Sequence, residues 1–287
     1  MTATTSATNM PLFARAKLPF DQAVTLFHPR DGRAMFVIPW EGTTIVGTTD
    51  IDHDPALDKK YIEPFASGEE IGYMMEAVSF LFPSLGLTEK DIISSFSGLR
   101  PVIRTGASSP SKESRAHALW EEDGLITITG GKYTTFRIMS RETIDKVLAR
   151  LGKPKTIGSK RIFNPPLDLS SFSLDPLTLA YVAGRHGNET AQLLTAAKQG
   201  ELERIERAPN LWAELRWAAR EEWVVHLEDL LLRRVRLGLL LPQGGSDLIG
   251  RIRDIVQPEL EWSDDRWQQE EAAYLKTWQS YYSPKPG

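Results

Sequence analysis

Along the first half of the chain, short runs of alternating apolar and polar residues give way to apolar positions spaced three and four apart. Strands and helices are therefore expected in turn. Residues 23–27 predict a strand, and His28-Pro29-Arg30-Asp31-Gly32-Arg33 a turn. Residues 34–40 (AMFVIPW) form a second strand that Pro39 should end or place at a sheet edge, and 43–48 return after a Glu41-Gly42 turn. This is a hairpin or meander, characteristic of an antiparallel or mixed sheet. Residues 67–82 predict a helix: Ser67 and Glu70 form a capping box, Ile71, Met74, Met75, Val78 and Leu81 supply a buried stripe, and Pro83 stops it. Residues 91–97 read as another strand, running into Gly98-Leu99-Arg100-Pro101, and 105–114 as a polar loop. A strand beginning at Arg115 and His117 and reaching Trp120 should hairpin into 125–129 (LITIT). That second strand meets Gly130-Gly131-Lys132 and then a helix, with Phe136, Met139, Ile144, Val147 and Leu148 on one broad side and Gly152 closing it.

Beyond this point the pattern changes. Residues 153–166 (KPKTIGSKRIFNPP) are loop-like and basic, marking a boundary, and everything after them is helical or loop-like. A short helix over 175–185 should end at His186-Gly187, and Asn188 should cap another running to Lys198. The main helical stretch lies within 211–241. It should break near 222–225, where the apolar stripe loses phase and Trp223, Val224 and Val225 are consecutive. Helices over 249–257 and 266–281 follow, the last with Trp267, Glu271, Tyr274 and Trp278 along one side. The resulting division is a disordered start over 1–14, a sheet-containing domain over 15–152, a linker over 153–168 and a helical domain over 169–287.

With 41% hydrophobic and 25% charged residues and a formal net charge of -4, the composition is that of an ordinary globular chain and a poor match to nucleic-acid binding. The absence of Cys removes disulfides, thiolate nucleophiles and iron–sulfur ligands together. The opening MTATTSATNM lacks a basic n-region and is not a secretory signal; no apolar run reaches membrane-spanning length.

Few positions carry chemistry by type and spacing. The Gly130-Gly131-Lys132 corner leaves backbone N–H groups and the positive end of a helix facing outward, which suits an anionic or electron-rich ligand, although many tight corners look alike. Arg100, between a strand and a proline, could grip a carboxylate or phosphate, or make a surface salt bridge. Arg115 and His117 share one strand face, which suits an anionic substrate with a proton to lose as well as a hydrogen-bonded structural histidine. Asp50, Asp52, His53 and Asp54 include metal-ligating types, but a single histidine without thiolates reads as an Asp-rich loop ended by Pro55. His186 reads as a helix C-cap, and Arg233, Arg234 and Arg236 as helix-surface charges reaching partners across the bundle. No dinucleotide fingerprint, Walker A motif or nucleophile elbow occurs.

Several motifs together resemble one family. FVIPWEGTTIVGTTD (36–50), FSGLRP (96–101), SRAH (114–117) and LITITGGKYTTFR (125–137) are similar to the second half of FAD-dependent glycerol-3-phosphate dehydrogenases, respiratory flavoproteins of the glycine-oxidase-like superfamily. ELRWAAREEW (214–223) and DLLLRRVRLGLL (229–240) resemble that family's helical C-terminal domain. The resemblance implies an α+β fold, the mixed or antiparallel sheet portion of an FAD-dependent oxidoreductase, followed by an all-α domain. It implies oxidation of sn-glycerol 3-phosphate to dihydroxyacetone phosphate, with electrons passed to a membrane quinone or, in related oxidases, to oxygen. Arg100 would touch the substrate and Arg115 its phosphate, and Gly130, Gly131, Lys132, Tyr133 and Thr134 would face the flavin, with His117 as candidate base. The family's dinucleotide fingerprint and further substrate residues lie in a first half that this sequence lacks. A C-terminal fragment needing a separate N-terminal flavin-domain chain is therefore expected, with poor FAD binding alone, or else a non-catalytic assembly module. The implied location is cytoplasmic or peripheral on the inner face of the membrane.

Overall fold

The computed structural model describes residues 3–49, 51–52, 63–103, 116–155 and 167–284. The side chains of residues 3–7, 51–52 and 100–103 lie outside that description, as do Asp50, His53, Asp54, the polar loop over 105–114 and most of the expected linker.

A six-stranded sheet is built from β1 (Ala3–Ala14), β2 (Val24–Phe27), β3 (Ala34–Trp40), β4 (Thr43–Gly47), β5 (Ile51–Asp52) and β6 (Ile92–Ile103). Its order is β2-β3-β4-β1-β5, with β6 also pairing with β1. The β3–β4 hairpin is antiparallel as its turn residues predict, with Val37 opposite Val46 and Ile38 opposite Ile45. Pro39 faces Thr44 on β4 but lies beyond the last β2 pair, Val24 with Val37, so its missing N–H leaves no β2 carbonyl unpaired. The opening residues are not a frayed start. They form β1, which pairs Leu12 with Ile45 and Phe13 with Thr44, and both apolar side chains are fully buried. Their small polar residues hid a strand that tertiary pairing enforces.

Helix α1 (Gly68–Leu81) begins with the expected Ser67–Glu70 capping box. Ile71, Met74, Met75 and Val78 pack it against Phe13, Met35, Val37 and Val46 of the sheet. Each such side chain removed from water contributes roughly 1.5–3 kcal/mol. The hairpin of β7 (His117–Glu122) and β8 (Leu125–Gly130) forms a separate two-stranded sheet, followed by α2 (Phe136–Arg150).

The remaining helices are α3 (Pro176–His186), α4 (Thr190–Ala196), α5 (Trp212–Glu221), α6 (Leu237–Leu240), α7 (Ile249–Leu260) and α8 (Asp264–Tyr281). Asn188 does not cap α4: it sits in a 3-10 turn, Gly187–Glu189, that joins α3 to α4. The break expected at 222–225 is present, with Trp223 at φ 54° and largely exposed. A π-helical turn over Asp229–Arg234 then puts Leu230, Leu231 and Leu232 inside. On α8, Trp267, Tyr274 and Trp278 are buried, and Trp278 Nε1 donates to Gly238 O at 2.6 Å.

The chain divides into two compact units and passes between them at five points, one of them Pro165–Pro166 within the 153–168 stretch. One contains Met1–Thr8, Asp50–Ile62 and Leu99–Pro165; the other contains Asn9–Thr49, Glu63–Gly98 and Pro166–Gly287. In the second unit, sheet and helices share a core: Leu12 and Ile45 pack with Trp212, Leu215, Leu230 and Leu237. The β3–β4 turn is seated there by ion pairs from Glu41 to Arg185 (3.1 Å) and Arg236 (3.4 Å). Gly42 lies so close that a Cβ would stand 2.6 Å from Arg207 O. His186 does more than terminate a helix. Its Nε2 lies 2.9 Å from Glu214 and its Nδ1 3.4 Å from Glu222. Burial alone would discharge the ring, but hydrogen bonds and charge from Glu214 and Glu222 override it and push the pKa up to about 9. Arg233, Arg234 and Arg236 reach across the fold as expected: Arg233 to Glu63 and Glu228, Arg234 to Glu222 O, Arg236 to Glu41 and the Trp40 ring.

Candidate functional site

The corner that the sequence singles out lies in the first unit. The β7–β8 register places His117 opposite Gly130 at the open end of the hairpin, so the chain leaves β8 beside that imidazole. Gly130 and Gly131 follow each other at φ 75° and 83°, a reversal that side chains resist. Gly131 also answers a packing demand, because a Cβ there would collide with the Met139 thioether on α2. Part of the need for glycine is thus internal, a reason the sequence pattern could not separate from ligand approach.

After the glycines, Lys132 N donates to Thr135 Oγ1 at 3.1 Å, and Thr135 Oγ1 donates to Lys132 O at 2.9 Å. This closes a single 3-10 turn, Tyr133–Thr135, that opens directly into α2 without a side-chain cap on the first α-helical turn. The positive end of a four-turn helix therefore meets solvent next to the Lys132 ammonium. Tyr133 is 92% exposed, its ring 5.9 Å from that of Phe136. An open cavity of about 300 Å³ sits here, lined by Ala116, His117, Lys132 and Thr135.

His117 has a partner that spacing could not reveal: its Nε2 lies 2.6 Å from Glu142 Oε2, one helical turn beyond Met139 on α2. The imidazole is thus oriented by a carboxylate while remaining at the cavity wall, an arrangement compatible with proton transfer and with a structural role. Of the other expected residues, Thr134 is exposed beside Tyr133. Arg100 is on β6, but its side chain lies outside the described residues, and Arg115 lies wholly outside them. The structure therefore brings together His117, Gly130, Gly131, Lys132, Tyr133 and Thr134, and says nothing of the two arginines' contacts.

The corner offers an uncapped helix start, an exposed lysine and an open cavity, features that would suit the electron-accepting end of a flavin. Among the described residues there is no cluster of three His, Asp or Glu side chains suited to a metal, and no helix long and apolar enough to cross a membrane. Helix α2 contains no buried residue, and its broad apolar side leaves Phe136 and Ile144 about half exposed.

Comparisons with known proteins agree with the motifs. Residues 127–267 match the family described as the C-terminal domain of alpha-glycerophosphate oxidase. The aerobic glycerol-3-phosphate dehydrogenases of Staphylococcus aureus strains USA300 and NCTC 8325 are each 29% identical, over 77% of this chain and 43% of theirs. The glycerol-3-phosphate dehydrogenase of Bacillus halodurans, solved as a complex with FAD, superposes with a TM-score of 0.74 at 25% identity, over 96% of this chain and 57% of that one. The chain thus spans about half the length of the relatives it matches. In its matched domain, its relatives and its fold, the chain resembles the second half of FAD-dependent glycerol-3-phosphate dehydrogenases.

Proposed function

We propose that this chain supplies the substrate- and flavin-facing corner of an enzyme that oxidises sn-glycerol 3-phosphate to dihydroxyacetone phosphate. The observation that carries the reading is the corner itself. Two consecutive positive-φ glycines, a lysine and an uncapped helix start stand open at a cavity, in a chain whose fold matches an FAD-bound dehydrogenase. When bound, FAD supplies the two-electron acceptor. Around it, Lys132 and the N–H groups at the start of α2 stabilise the negative charge that grows on the reduced ring, a task suited to preorganised donors. Arg100 and Arg115 hold the substrate's phosphate, since two guanidinium groups match its oxygens bidentately. His117, oriented by Glu142, takes the hydroxyl proton. Quinone is the proposed final acceptor, reached from the cytoplasm or the inner membrane face.

A partner polypeptide carrying the dinucleotide fingerprint belongs to this reading. Tyr133 in the 3-10 turn and Phe136 and Ile144 on α2 are exposed apolar side chains, of the kind a flavin domain would cover. The same exposure is what a non-catalytic assembly module would show. Co-purification of flavin decides between them: FAD retained with an added N-terminal half supports the enzyme, and its absence in every combination supports the module.

A further inference from the structure

Three of the five places where the chain passes between its two compact units are Thr8–Asn9, Thr49–Asp50 and Gly98–Leu99. Within the larger unit, the residues at or next to these crossings are tied to one another. Asn9 on β1 is fully buried, and its Nδ2 donates to Thr49 Oγ1 at 3.0 Å and to Glu70 Oε1. Its backbone N–H also donates to Thr49 Oγ1, at 3.2 Å, and Thr49 Oγ1 in turn donates to Glu70 Oε1 at 3.1 Å. From β6, Ser97 Oγ donates to Asn9 Oδ1. The other oxygen of Glu70 accepts from Ser67 N at 3.1 Å and Ser67 Oγ at 2.9 Å, closing the α1 capping box.

An ordinary capping-box glutamate reaches back only to its own N-cap and remains in water. Glu70 is nine-tenths buried and divides its two oxygens between the cap and the strands. Asn9 is the matching piece: its amide donates toward Glu70 and accepts from Ser97, so every side-chain polar atom in the chain Ser67–Glu70–Asn9–Ser97 has a partner. Buried networks satisfied in this way fix one arrangement, since any slip leaves a charge or an amide unpaired.

We propose that Glu70 and Asn9 form a polar clamp that holds β1, β6 and the segment leaving β4 in register, and that they are positioning residues for β6, the strand that runs on from Ser97 to Arg100. The link to Arg100 rests on the function proposed above; the clamp does not.

The test is hydrogen exchange of the whole chain, followed by mass spectrometry of its peptides. Asn9→Asp sets a second carboxylate against Glu70 and should speed exchange roughly tenfold or more in residues 9–13, 43–47 and 92–97 together. Adding Glu70→Gln restores a donor facing an acceptor and should return those segments to within about threefold of native. Ser67→Ala should instead fray α1 and leave the strands unchanged. Peptides of α5, remote from the clamp, report global loosening. The proposal is overturned if the double variant is no better than Asn9→Asp, if acceleration is confined to one strand, or if α5 loosens equally. The exchange pattern without any flavin binding would sustain the clamp while removing the catalytic reading.

Discussion

Glu214→Gln is the substitution whose consequence can be worked furthest. The native carboxylate is 1% exposed and accepts from Arg185 Nε at 2.6 Å, Arg185 Nη2 at 2.9 Å, His186 Nε2 at 2.9 Å and the Leu211 N–H at 2.6 Å. Burial would raise its pKa, but the hydrogen bonds from His186 and Arg185 prevail and hold it lowered. Glutamine keeps the shape and removes the charge, leaving Arg185 to Glu41 and His186 to Glu222, a loss of about 3 kcal/mol. A second signature concerns pH. The folded pKa of His186, about 9, lies above its unfolded value of 6.5. The stabilisation is therefore complete below pH 6.5 and is lost as the pH rises through 9. A separation of that size corresponds to at most about 3 kcal/mol, and partial solvent screening brings the expectation nearer 2 kcal/mol. Seven of the eight tryptophans, all but Trp120, lie in the same compact unit, so urea unfolding followed by tryptophan fluorescence reads it directly. The native urea midpoint should fall between pH 6.5 and 9, and the variant's should start lower and fall less, with only Glu222 left beside the ring. Parallel pH profiles for the two proteins would refute the reasoning.

Other substitutions probe separate parts of the fold. Gly131→Ala should destabilise the hairpin–α2 unit by about 2 kcal/mol, from a strained φ of 83° and the Met139 collision, and Met139→Ala should recover only the collision's share; protease nicking within 116–155 measures it. Arg216 is buried and paired with Glu201 and Glu259, so Arg216→Met should cost about 3 kcal/mol by leaving the buried Glu201 without its guanidinium while Glu259 keeps Arg220, seen as a lower urea midpoint. Tyr274→Phe removes the hydroxyl that donates to Gly244 O inside the helical core and should cost about 1 kcal/mol in the same assay.

How much of this was readable beforehand depended on the range of the interactions involved. The β3–β4 hairpin, the α1 capping box and the break at Trp223 follow from local rules, and the structure carries all three. The corner at Gly130-Gly131 was readable for the same reason: consecutive glycines between a β-branched run and a helix leave few conformations. Strand β1 was not readable, because its small polar start becomes strand only on tertiary pairing, Ser6 and Ala7 with β5 and Leu12 to Ala14 with β4. The Glu142 partner of His117, the Met139 packing under Gly131 and the Glu214 partner of His186 are tertiary contacts between residues 8 to 28 positions apart, which no short window encodes. Helix α2 shows the limit of periodicity: its apolar side is real in sequence, yet Phe136 and Ile144 stay exposed within this chain. The motifs at 96–101 and 125–137 carried the family resemblance where geometry alone offered only a tight corner.

The central claim is that the corner serves a flavin in glycerol 3-phosphate oxidation. The decisive measurement is flavin absorbance of the purified chain, alone and with a co-expressed N-terminal half of a relative, before and after anaerobic addition of glycerol 3-phosphate. The account predicts stoichiometric yellow protein with the added half, bleached by the substrate, and at least a hundredfold slower bleaching after Arg100→Ala. Colourless protein in both preparations, or a bound flavin that glycerol 3-phosphate leaves oxidised, would contradict it.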